Sequence, residues 1–295
     1  MMQLVIPGQV IASSSIEGGG ESKDENSFLR GHGTYVERVE SEERLIASVC
    51  GTVQRMNKLI TVIPFCESRY AGNVGDLVVG RVTSVATSQW TISLVSQQRD
   101  ARLPLSGVHL PGGAQRVRTA QDQRDMRLFL QEGDLICAEV HKVQPSDGSL
   151  SLHTRSFRYS KLENGSLVQV PPSLIPRRKN HYMSMINNTL DVLWGTNGNI
   201  WIQRKLKELG GEEANNLADL QEQLRQEHAS TPVLPDERQS IARLRNAIES
   251  LRLVHSMVTP EFAEEIYNRS VTFGLSPSQI LLPQNVVSLT EICRQ

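Results

Sequence analysis

Net charge is nearly absent from this chain: 31 Lys and Arg stand against 32 Asp and Glu, a formal charge of −1. A protein that held nucleic acid across its whole surface would carry a basic excess, so any surface for a polyanion here must be local. Cysteine is scarce as well. Cys50, Cys66, Cys137 and Cys293 are far apart, and none forms the C-x-x-C pair of zinc and redox sites. They are expected as isolated buried thiols in a reducing compartment. No run approaches the ~18 apolar residues of a membrane helix. Residues 1–10, broken by Pro7-Gly8, lack the basic start and apolar core of a secretion signal, so a soluble, intracellular protein is expected. Phosphate-cradling loops, dinucleotide fingerprints and paired metal-ligand histidines are missing. The acidic residues are scattered over turns and helix faces instead of clustering as metal-assisted phosphodiester hydrolysis requires. The chain is therefore read as a non-enzyme with no catalytic residue, no metal and no cofactor.

What is present is an order of β-rich runs. Its 295 residues allow two or three domains. Between Gly75 and Ser156, runs at Asp76 to Val85, Trp90 to Val95, Ala101 to Val108, Asp134 to Val143 and Ser149 to His153 alternate apolar with polar residues as half-buried strands do. A helix-like patch, Arg124 to Gln131, lies between the third and fourth, and Asp147-Gly148 marks a hairpin before the fifth. This order predicts an OB-type barrel, an architecture that offers a sheet face and its loops to oligonucleotides or oligosaccharides.

On either side the pattern changes. Leu4 to Ile11, Thr34 to Val39, Leu45 to Val49, Thr52 to Met56 and Leu59 to Pro64 predict a small all-β unit, interrupted by the polar, Gly-rich insertion Ile16 to Asn26. After the barrel, Pro171-Pro172 and Pro176 mark a connection, and Leu190 to Trp194 and Asn199 to Gln203 read as two strands around Gly195-Thr196-Asn197-Gly198. Helices are expected at Leu217 to His228 and at Pro235 to Met257, the latter with Ile241, Leu244, Ile248, Leu251 and Val254 on one stripe. Ser276-Pro277 starts another, which Pro283 interrupts. The fold class expected is α+β multidomain: an N-terminal β domain (1–70), an OB-type barrel domain (71–156), an α/β domain (157–258) and a C-terminal helical tail (259–295), the second S1-type and the third KH-like as a family resemblance implies.

Four groups of residues are candidates for contact with RNA. Gly195 to Gly198 has the GXXG form with which KH domains clamp a single-stranded backbone. Its middle residues are neutral and a strand follows, so the alternative is a tight structural turn involving Gly195, Asn197, Gly198 and Trp201. Trp90 either stacks on a base or, in phase with Ile92 and Leu94, packs in the core. Arg116, Arg118 and Arg124, beside Pro111-Gly112-Gly113, sit where phosphate contacts cost no strand pairing. The run Arg177, Arg178 and Lys179 is open between RNA, a protein partner and solvent.

Several motifs then line up with one family. Gly31-His32-Gly33-Thr34-Tyr35, Asn57-Lys58-Leu59-Ile60, Gly75-Asp76-Leu77-Val78-Val79-Gly80, Leu110-Pro111-Gly112-Gly113, Glu132-Gly133-Asp134-Leu135-Ile136, Leu152-His153-Thr154-Arg155-Ser156 and the Gly195-to-Trp201 segment occur in order over residues 4–203. Together they resemble the S1/KH cap subunits of the RNA exosome, of the ribosomal RNA processing protein-four type. The resemblance implies a non-catalytic cap protein that stabilises a ring of RNase PH-like subunits beside other cap subunits. It would guide single-stranded RNA into the pore for 3′–5′ degradation and rRNA processing, in nucleus, nucleolus and cytoplasm, with no membrane and no small-molecule substrate. In this picture the N-terminal β domain docks on the ring, the S1 domain lines the pore, and Arg116 and Arg118 face it. The Ile16 to Asn26 insertion and the Glu212 to Ser230 stretch depart from the family pattern. The alternative is a free OB-fold RNA-binding protein associated with ribosomes or translation.

Overall fold

The structure, a computed structural model, describes residues 3–15, 28–39, 42–64, 70, 72–94, 100–108, 119–144, 148–154, 161–206 and 227–291. The chain forms two compact units, Met1–Glu67 and Ser68–Gln295. The Ile16 to Asn26 insertion and nearly all of the helix expected at Leu217 to His228 lie outside the described residues.

The first unit holds two antiparallel-based sheets. β1 (Gln3–Val5), β3 (Leu29–Arg30), β6 (Gly51–Met56) and β7 (Leu59–Pro64) are ordered β1-β6-β7-β3, with β3 parallel to β7. β2 (Val10–Ser15), β4 (Thr34–Val39) and β5 (Glu42–Ala47) are ordered β2-β5-β4. The single strand expected over Leu4 to Ile11 is two strands, because Pro7-Gly8 turns the chain and Gln9 N–H bonds the Ile6 carbonyl at 3.1 Å. Val5, Ala47 and Val62 form a small core over which Ile11, Val49 and Val53 pack. Cys50, expected to be buried, is exposed, whereas Cys137 is buried; Cys66 and Cys293 lie outside the described residues.

The second unit begins with the barrel. β8 (Leu77–Val85), β9 (Gln89–Ser93), β10 (Ala101–Pro104), β11 (Leu135–Val143) and β12 (Leu150–His153) close on themselves, since β12 pairs parallel with β10 and antiparallel with β11. β13 (Lys161–Leu162) adds to β11 at the edge. The third strand stops at Pro104, which has no N–H for the ladder, and Leu105–Gly107 continue as a 3-10 turn. The helical patch is two short helices, α1 (Ala120–Arg124) and α2 (Met126–Phe129), and Met126 enters the barrel core. Trp90 has no exposed surface, and its Nε1 donates to the Leu130 carbonyl at 3.1 Å. It is a core residue that ties the barrel to its helical lid.

An α/β layer follows. β14 (Gly165–Gln169), β15 (Tyr182–Met185), β16 (Leu190–Trp194) and β17 (Asn199–Arg204) form an antiparallel sheet ordered β14-β17-β16-β15. Helices α3 (Pro235–Leu253), α4 (Pro260–Thr272) and α5 (Pro283–Thr290) complete the layer. Side chains alternate across a strand. Leu190, Val192, Trp194, Ile200 and Ile202 therefore face the helices in the core with Leu244, Ile248, Ile266 and Leu289. Leu193 and Trp201 face the other way and pack against Leu77, Val79 and Cys137 of the barrel. The central strands are covered on both faces, which explains their nearly unbroken apolar runs. The helices beyond residue 258, expected as a tail, share this core. Pro283 begins a helix instead of interrupting one, as its N1 preference allows.

Trp90→Phe should lower stability by about 2 kcal/mol, since it opens space in a closed core and leaves the Leu130 carbonyl unpaired. Thermal unfolding beside RNA titration checks this. Unchanged melting with RNA affinity reduced tenfold or more would make Trp90 a stacking platform.

Candidate nucleic-acid interface

The GXXG-like loop is turned inward. Gly198 N–H bonds the Gly195 carbonyl at 3.1 Å to close the turn, and Thr196 N–H reaches the Leu77 carbonyl of the barrel at 2.9 Å. Gly198 sits at φ +92°, and a Cβ there would run into the Val170 carbonyl oxygen, so glycine is required twice over. Asn197 is 2% exposed. Its Nδ2 donates to the carbonyls of Val79 and Leu94, both at 2.8 Å, while its Oδ1 accepts from Val79 N–H at 3.2 Å. Asn199 Nδ2 donates to the same two carbonyls at 2.7 and 2.9 Å.

The barrel explains why these carbonyls are available. β8 and β9 are in register only from Arg81 and Ser93 onward, so Val79 and Leu94 lie beyond the ladder's end. Their polar groups are buried and need partners from elsewhere. The Asn197 amide, with one donor and one acceptor group, meets Val79 as a neighbouring peptide would. The Thr196 amide and the Thr196 and Asn197 side chains are thus committed to the barrel, and the Gly195 and Gly198 amides to the turn itself, whereas an RNA clamp must present them to phosphate.

A second link runs beside it. Asp76, 7% exposed, accepts from Tyr70 Oη at 2.8 Å, from Asn73 N–H at 2.8 Å and from Arg177 Nη2 at 3.2 Å. Burial raises the Tyr70 phenol far above its ordinary pKa, and Thr196 Oγ1 reaches that phenol at 3.4 Å. Arg178 grips Glu261 at 2.7 and 2.6 Å in a two-pronged pair, and this guanidinium holds the Glu261 carboxyl down at about 2. Two cations of the Arg177–Lys179 run therefore answer the chain's own carboxylates, an outcome outside the three readings open in the sequence. The partners lie 101 and 83 residues away, beyond the reach of any local pattern.

Lys179 is exposed, and no ion pair joins it among the described residues. The same holds for Arg124, which is exposed in the last turn of α1. Arg116 and Arg118 lie outside the described residues. Asp76, Asn199 and Glu261 were missed as site residues. Asn199 had a usable signal, being a polar residue that opens the apolar run Ile200-Trp201-Ile202.

The comparisons with known proteins follow the same division. The family model for the S1 domain of RRP4 matches residues 69–142, and a KH-domain model matches residues 165–208. The exosome complex component RRP4 of Bos taurus is 43% identical over 292 residues, covering 99% of this chain and 89% of its own length. The chain belongs to the RRP4 family. The Saccharomyces cerevisiae RRP4 is 35% identical over 298 residues, covering 92% of this chain and 77% of its own. The exosome complex component Rrp4 of Pyrobaculum aerophilum is 29% identical over 208 residues, covering 69% of this chain and 78% of its own. In this RRP4-family chain the S1 match falls on the barrel and the KH match on the sheet β14–β17, and the two are joined through Asn197 and Asn199.

Gly198→Val and Asn197→Ala test which role the loop has. The first imposes about 1 to 3 kcal/mol of backbone strain together with a clash. The second leaves Val79 N–H buried without a partner, at about 1 to 3 kcal/mol. Both should lower the melting temperature by several degrees, with RNA affinity held within about twofold. Unchanged melting with affinity reduced tenfold or more would return the loop to the role of an RNA clamp.

Proposed function

We propose that this chain is a non-catalytic, RNA-binding cap subunit of an exosome, stabilising a ring of RNase PH-like subunits and guiding single-stranded RNA toward a nuclease carried elsewhere. The observation that carries the proposal is the RRP4 relationship, which runs through nearly the whole chain and through both RNA-binding modules. Degradation and rRNA processing in nucleus, nucleolus and cytoplasm belong to this reading.

The partner side has a surface to support it. On the sheet β1-β6-β7-β3, Leu4, Thr52 and Ile63 form one cross-strand row. Met56, Leu59 and Leu29 form another, and Gln54 opposite Thr61 lies between them. Leu4, Ile63, Met56, Leu59 and Leu29 are exposed, with Met56 at 65%. Apolar side chains in register on one outward face, with neutral residues between them, suit a protein partner better than water. This fits docking of the N-terminal domain on ring subunits.

The RNA side is given to exposed cations. With Arg177 and Arg178 engaged in ion pairs, the remaining candidates are Arg124 and Lys179, with Arg116 and Arg118 outside the described residues. Arg116→Glu with Arg118→Glu should leave assembly intact and slow degradation of a long single-stranded substrate by the assembled complex, since loop charges contribute little to folding. Degradation at the parental rate would remove these two arginines from the path. A chain that purifies alone or with ribosomes, never with ring proteins, would contradict the cap assignment itself.

A further inference from the structure

β4 (Thr34–Val39) is an open edge of the sheet β2-β5-β4, and every residue of it after Thr34 is exposed. The other open edges are blunted. β1, β3 and β13 have only two or three residues, β15 has four, β14 packs against α3, and β2 carries a bulge between Val10 and Ala12. β4 has neither proline nor bulge, and among the described residues only β5 pairs with it.

The pairing with β5 decides which groups face outward. Ser48 N–H bonds the Gly33 carbonyl at 3.0 Å, so Gly33 and Ser48 are a hydrogen-bonded pair. Such pairs recur at every second residue of an antiparallel ladder. Tyr35, Glu37 and Val39, opposite Ile46, Arg44 and Glu42, therefore direct their N–H and carbonyl groups to β5. Those of Thr34, Val36 and Arg38 point away from the sheet. Arg30 Nε takes one lone pair of the Thr34 carbonyl at 3.2 Å, and a carbonyl has two.

These outward residues are self-complementary. A second copy of β4, laid antiparallel about a two-fold axis at Val36, sets Val36 against its own counterpart, Thr34 against Arg38 and Tyr35 against Glu37. Each outward group then meets an outward group, and the Glu37 carboxylate lies beside a phenol. The neighbouring registers are disfavoured by charge, since an axis at Glu37 opposes two carboxylates and an axis at Arg38 opposes two guanidiniums. An axis at Tyr35 carries Arg38 past the start of the strand.

We infer that β4 is the interface of a two-fold homodimer of this chain, formed by antiparallel pairing of the two β4 edges about Val36. The inference stands apart from the cap reading. An isologous pair is closed, so it also protects a long edge against open-ended strand addition.

Sedimentation velocity of the full chain from about 1 to 200 µM tests this, a range set by the weakness of small interfaces. The parent should pass from monomer to dimer within it. Val36→Pro should weaken dimerisation about tenfold or more and leave melting unchanged, because the N–H it removes lies outside the ladder with β5. Oxidative cross-linking reads the register. With the exposed Cys50 replaced by serine, Val36→Cys should give a disulfide-linked dimer, since facing Cα atoms of a hydrogen-bonded pair lie about 5.5 Å apart. Glu37→Cys should not, because its counterpart is then a diagonal neighbour about 8 Å away. If Val36→Pro lowers melting, the cross-linking pair decides. Monomer at every concentration, parental dimerisation by Val36→Pro, or cross-linking through Glu37→Cys and not Val36→Cys would each overturn the inference.

Discussion

The second unit depends on a side-chain amide that takes the place of a peptide. Where β8 and β9 part, the barrel leaves the Val79 N–H and carbonyl and the Leu94 carbonyl without ladder partners, in a place closed to water. A buried orphan group costs about 1 to 3 kcal/mol, a large share of a domain's net stability. Asn197 and Asn199, presented by the turn between β16 and β17, meet all three groups. The barrel is completed by its neighbour, and the neighbour's turn is held by the barrel.

Much else follows from that junction. Because the turn must approach the barrel closely, Gly198 is fixed by its φ and by the Val170 carbonyl. Because the sheet lies on the barrel, β16 and β17 are covered on both faces, with Trp201 on one side and Ile200 and Ile202 on the other. Arg177 and Asp76 close the edge of the same contact. A loop of KH form thus joins the sheet to the barrel. In the proposed reading RNA meets exposed cations, which hold a polyanion through phosphate contacts, suit passage of any sequence and confer salt dependence.

The barrel was legible because its strands are local, half-buried and separated by turns: β11 and β12 around Gly148 are cases where pattern and pairing agree. Leu190–Trp194 was legible to the residue for the opposite reason, being an apolar run, broken only by Asp191, between turns. β14 and β15 escaped notice because each is a short edge strand recognised only by its pairing with β17 or β16. α4 was overlooked although Thr259-Pro260 is a cap-and-proline start, with Thr259 Oγ1 accepting from Phe262 N–H at 3.3 Å. Ion pairs across about a hundred positions of sequence, such as Arg177 with Asp76, leave no local trace. The exposed cross-strand rows of the sheet β1-β6-β7-β3 likewise exist only once the registers are known.

Native-state hydrogen exchange on the full chain, with and without single-stranded RNA, tests the junction most directly. If the KH-type turn joins the two domains, the amides of Thr196, Gly198 and Val79 should open with the same free energy as the amides of β8, in one cooperative step that RNA leaves unchanged. Rapid exchange at Thr196 and Gly198 in the free chain, with protection gained only when RNA is added, would contradict the account and show the turn to be an RNA clamp.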